Sequence, residues 1–98
     1  MATKQEIINV IADHVSKRGG NCSEWYVGIA TEPHVRLFND HSVDEKNGLW
    51  IHRLCVSSSD AREIEDYFIA KGMKGGPGGG DSDTKSVYAY KITSSTRE

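Results

Sequence analysis

The sequence holds two cysteines and two prolines. It has no apolar run near the roughly 20 residues that span a bilayer as a helix. The missing run excludes a helical membrane span. The cysteines, Cys22 and Cys55, have neither CxxC spacing nor a histidine nearby in sequence, so a thiol nucleophile has no support. Positive charge is not in excess either. Twelve Lys and Arg against fourteen Asp and Glu leave a formal charge of −2, so the chain as a whole makes no electrostatic case for nucleic acid. Residues 1–17 alternate charged with apolar positions instead of forming a basic stretch followed by an apolar one. The expectation is therefore a cytoplasmic protein with both thiols reduced.

What is present is one domain's worth of chain, 98 residues with 37% hydrophobic and 27% charged side chains, a globular composition rather than a disordered one. Charge is unevenly spread. Residues 57–70 carry a net −3 and residues 71–98 a net +2, so a phosphate-binding surface would have to be local.

Thr3 and Glu6 fit a capping box, and Ile7, Ile8, Ile11, Ala12 and Val15 recur at helical spacing up to Gly19 and Gly20. Residues 25–30 alternate as a half-buried strand, with Trp25, Val27 and Ile29 on one face and Tyr26, Gly28 and Ala30 on the other. Pro33 opens a short helix to about His41. Residues 49–56 form a second strand, and Asp60 with Glu63 suggests a capping box for a helix that Gly72 ends. A glycine-rich flexible loop is expected over 72–85, then a third strand over 86–93. The order α-β-α-β-α-β with short strands predicts a small layered α/β (α+β) domain spanning residues 1–98, three strands flanked by three helices.

Glu65 is the most informative position. At 100° per residue it falls between Ala61 and Ile69 inside the apolar arc, while Glu63 and Asp66 occupy the solvated side. A carboxylate there requires a metal, a cation or a hydrogen-bond donor; a core-rim carboxylate satisfied by an arginine or a backbone N–H is the plainer alternative. Tyr26 stands beside the small side chains Gly28 and Ala30, a face open either to a ligand or to close helix packing. On the wheel Arg36 is a surface arginine. His34 and His41 lie on one arc but at i, i+7, poorly spaced for a metal pair, and His14 and His52 are isolated. The glycine stretch matches no nucleotide-binding motif; its functional alternative to a flexible loop is a backbone nest for phosphate flanked by Lys71, Lys74 and Lys85.

The run from Trp25 to His41 resembles the second half of the GIY-YIG nuclease signature. Tyr26-Val27-Gly28 stands where that family has YIG or YVG, and Arg36, eight residues after Gly28, stands where the family places an active-site arginine. The stretch from Ala61 to Ile69 resembles the family's E-x-[aromatic]-[aromatic]-I helix, which maps its metal-binding glutamate onto Glu65. The family's first strand has no counterpart before Trp25, and its later asparagine has none after Asn47. Residues 88–93, Tyr-Ala-Tyr-Lys-Ile-Thr, read like the opening G-I-Y-K-I-T pattern, so a permuted strand would supply Tyr90 beside Tyr26.

The resemblance implies a GIY-YIG-like fold acting on a nucleic-acid phosphodiester backbone. Glu65 would hold Mg²⁺ or Mn²⁺, Tyr26 would help deprotonate water, Arg36 would stabilise phosphate charge, and His41 and Tyr90 would assist. The alternative is a non-catalytic binding or protein-interaction module that retains the fold.

Overall fold

The computed structural model describes residues 3–18, 21–46, 48–75, 84–94, 96 and 97. The first helix, α1, spans Lys4–Arg18. Its capping box forms as expected: Thr3 Oγ1 accepts from the Glu6 N–H at 3.2 Å, and Glu6 Oε1 accepts from the Thr3 N–H at 3.1 Å. Ile7, Ile8, Ile11 and Val15 form its buried stripe.

A 3₁₀ turn at Cys22–Glu24 feeds β1, Trp25–Ala30. One α-helical turn, α2, occupies Pro33–Val35 and continues without a break as a π-turn over Arg36–Asp40. There the His41 N–H reaches back five residues to the Arg36 carbonyl at 2.9 Å. The second strand, β2, is Trp50–Leu54, shorter than expected.

Helix α3 runs Ser58–Ala70. Its cap corrects the sequence reading, because Ser57, in extended conformation, accepts from the Asp60 N–H at 3.1 Å. Asp60 is thus the third helical residue and not the cap, and the carboxylate of Glu63 instead meets Lys4 Nζ on α1 at 3.0 Å. Gly72 closes the helix with φ +112°, a conformation side chains resist.

The last strand, β3, is Ser86–Lys91, and it lies in the centre of an antiparallel sheet ordered β1-β3-β2. Tyr26 stands opposite Tyr90 and Gly28 opposite Tyr88 on one side, Trp50 opposite Tyr90 and His52 opposite Tyr88 on the other. The outer edge of β1 is covered too: Val27 N–H donates to the Lys74 carbonyl and Lys74 N–H to that of Trp25, each at 2.9 Å. At the start of the expected loop, Lys74 is thereby bonded to the sheet. Residues 76–83, with any phosphate nest there, lie outside the described residues.

The sheet separates two cores. Helices α1 and α3 cover the face carrying Trp25, Val27, Ile51, Val87 and Ala89, filled by Ile11, Ile64 and Phe68. The α2 and π-turn segment covers the opposite face, where Leu37 and Val43 pack on Tyr88 and Tyr90. The result is a small α+β domain of three helices around a three-stranded antiparallel sheet. Among the described residues no helix is long and apolar enough to cross a membrane.

Candidate functional site

Period-2 alternation sends Tyr26, Gly28, Tyr88, Tyr90, Trp50 and His52 to the same face of the sheet. Tyr26 stacks on Tyr90 with ring centroids 5.3 Å apart, and the His41 ring lies 4.8 Å from that of Tyr26. The space beside Tyr26, expected to admit a ligand or a closely packed helix, is occupied by a side chain of the sheet itself. Tyr88 lies across it, so closely that a Cβ at Gly28 would come 2.5 Å from the Tyr88 hydroxyl. Sequence reasoning passed over Tyr88, although its place two residues before Tyr90 on one strand puts both rings on one face.

His41, read as a weak auxiliary, is buried and central. Its Nε2 is 2.8 Å from the Tyr88 hydroxyl, and its Nδ1 is 2.7 Å from the Arg97 carbonyl and 3.0 Å from the Tyr90 hydroxyl. A carbonyl only accepts, so Nδ1 carries the proton and Nε2 accepts from the Tyr88 O–H. Tyr90 donates to the same Arg97 carbonyl at 3.0 Å.

Arg36 joins this network from the π-turn. Its guanidinium hydrogen-bonds the Tyr88 side chain, which raises the arginine's pKa further, and it pairs with Asp40 at 3.2 Å. About half of its side chain remains open to solvent. Burial pushes the Tyr88 phenol up to about 12 against the opposing pull of Arg36, so it stays protonated and donates to His41.

Glu65 is 1% exposed, which matches its place on the apolar arc. Among the described residues its Oε1 has no hydrogen-bond partner, and burial, reinforced by Asp66, pushes the carboxyl up to about 7; Arg62 pulls the other way. Its charge is felt by Tyr88. The sequence-selected residues therefore separate by how they are joined. Tyr26, Tyr90, His41 and Arg36 share one network through contacts with one another and with Tyr88, whereas Glu65 reaches that network from α3 through its field on Tyr88.

The histidines sort differently from their sequence arc. His34 is exposed and distant in role from buried His41; its ring lies instead 4.6 Å from that of His52, which the sequence left isolated. His14 packs edge-on against Trp25. Both cysteines are free, and burial lifts the Cys55 thiol to about 11, which leaves it unreactive.

Among the described residues no group of three or more His, Cys, Asp or Glu is placed to hold a metal ion. Of the sequence-selected residues only Glu65 could contribute a carboxylate to a Mg²⁺-like cation, and at 1% exposed it would have to open toward solvent before water and substrate phosphate completed the shell. A buried carboxylate oxygen without a partner is the observation in favour. Compared with family models, curated proteins and solved structures, the chain gives no match, so its function is argued from this geometry.

Proposed function

We propose that the chain is a permuted GIY-YIG-like domain that engages a nucleic-acid phosphodiester backbone and hydrolyses it with a divalent cation. The observation that carries this reading is the register of β3 on β1: the strand from the far end of the chain sets Tyr90 directly opposite Tyr26. In this reading the half-open Arg36 guanidinium receives the phosphate, and Tyr88 and Asp40 hold it in place. Tyr26, the partly exposed member of the tyrosine cluster, orients the attacking water. Glu65 would hold Mg²⁺ or Mn²⁺, which when bound would polarise a phosphate oxygen.

A second reading, a domain that binds the backbone without cutting it, is favoured by Tyr88. It stands where the G-I-Y pattern has glycine and fills the space over Gly28. One assay separates the two. Purified protein is incubated with supercoiled DNA and with single-stranded RNA in Mg²⁺ or Mn²⁺, beside Glu65→Gln and Arg36→Ala. Metal-dependent nicking lost in both variants supports hydrolysis. Binding without nicking, lost only in Arg36→Ala, supports the second reading. Neither binding nor nicking by wild type defeats both.

A further inference from the structure

His34, Phe38, Trp50 and His52 close into a ring of aromatic contacts on the β2 side of the molecule. The centroid distances are 4.6 Å for His34–His52, 5.8 Å for His52–Trp50, 5.1 Å for Trp50–Phe38 and 5.9 Å for Phe38–His34. The pattern follows from two periodicities meeting. Residues 34 and 38 share one side of the helical segment, residues 50 and 52 share one face of the strand, and docking the segment over the sheet joins the pairs.

Two imidazoles on separate elements are thus brought together, and each is oriented by a neighbouring ring. His52 lies parallel to Trp50, with 6° between the planes, and the Trp50 indole is itself anchored by donating to the Glu45 carbonyl at 3.0 Å. Neither histidine enters a hydrogen bond or ion pair among the described residues, and neither has a ring nitrogen sealed away from solvent.

We propose that His34 and His52 form a two-imidazole site for a borderline transition-metal cation of the Zn²⁺, Ni²⁺ or Cu²⁺ class, tying the helical segment to β2. With metal–nitrogen bonds of about 2.0–2.1 Å, two nitrogens on one tetrahedral ion sit roughly 3.3 Å apart, a spacing that rings with centroids 4.6 Å apart reach when the exposed His34 turns about its side-chain torsions. Water completes the coordination shell. Imidazole selects for Cu²⁺, Ni²⁺ and Zn²⁺ over Mg²⁺ or Mn²⁺, so this site is chemically distinct from a carboxylate site at Glu65 and independent of the phosphodiester reading. The guanidinium of Arg53, whose Nη1 donates to the His52 carbonyl at 2.7 Å, opposes a cation there.

Trp50 stacked on His52 supplies the reporter, since the protein's other tryptophan, Trp25, is buried in the opposite core. Tag-free protein is titrated with Cu²⁺ while tryptophan fluorescence is followed, and Zn²⁺ binding is measured by calorimetry, beside His34→Ala and His52→Ala. The expected result is quenching reversed by chelator, tightest for Cu²⁺, and at least tenfold weaker binding of both metals in each variant. His34 is exposed, so His34→Ala folds even if His52→Ala does not, and a Trp50→Phe variant should bind metal with most of the quenching gone. Wild-type binding that His34→Ala leaves within twofold, or no binding by wild type, overturns the proposal.

Discussion

The two faces of the sheet are built by different means. Under α1 and α3 the sheet meets aliphatic and aromatic side chains that fit by shape, and among the described residues the one buried carboxylate, Glu65, has an oxygen with no partner. Under the π-turn the sheet meets rings bearing polar atoms, and His41, Tyr88, Tyr90, Arg36 and the Arg97 carbonyl satisfy one another in a directed chain. Shape packing tolerates small rotations at modest cost. A directed chain of donors and acceptors does not, because each turn of a ring breaks two bonds. The first face accordingly supplies most of the stability, and the second fixes the direction of a half-exposed guanidinium.

The comparison breaks most easily on the dry face. Phe68→Ala should cost about 3–5 kcal/mol in urea unfolding, by lost transfer energy plus a cavity. A cost near 1 kcal/mol would show that this face does not dominate. The next largest effect is tied to pH. The folded Glu65 carboxyl titrates at about 7, above its ordinary value of 4.5, so the native state holds a proton that the unfolded chain releases between those two values. Stability should therefore fall as pH rises from about 4.5 to about 7, by up to about 3 kcal/mol, and stay low above it. Glu65→Gln should remove that slope and melt higher than wild type at pH 8 in chelator, with little difference at pH 4. Identical pH slopes would mean that Glu65 is not desolvated. The smallest effect belongs to the polar face: Tyr88→Phe should cost about 1–3 kcal/mol, because it leaves His41 Nε2 without its donor. Nitrogen chemical shifts of His41 should show a protonated Nδ1 in wild type and a disturbed tautomer balance in the variant.

How much of this was legible in the sequence follows the range of each interaction. The Thr3–Glu6 box, the Trp25–Ala30 strand and the left-handed Gly72 are local, and local rules suffice for them. The Ser57 cap was missed because serine, aspartate and glutamate in a row offer several equally good local caps. Only the docking of α3, which turns Glu63 toward Lys4, chooses among them. The position of Glu65 followed from periodicity, but the lack of a partner for its Oε1 depends on what two other elements bring. Tyr88 and the His34–His52 pair were out of reach for another reason. Each depends on the strand order β1-β3-β2, which joins Tyr88 to Gly28 and His41, 60 and 47 residues away, in the first case and residues 18 apart in the second, and no spacing rule connects them.

The π-turn makes the length of one short segment a functional quantity. Because the His41 N–H bonds the carbonyl five residues back, the turn holds one residue more than an α-helix would. Deleting exposed Asn39 would let the same carbonyl and N–H bond four residues apart, as in an ordinary helix, with Leu37, Phe38, Asp40 and His41 all retained. The imidazole would keep its phase, because either turn brings the bonded N–H back beneath its carbonyl, but the Arg36–Asp40 pair would shorten from four residues apart to three. A chain altered in this way would fold with its network only slightly shifted, whereas loss of Leu37 or Asp40 would remove a core side chain or the arginine's partner, so the cost of a change in length here depends on which residue goes.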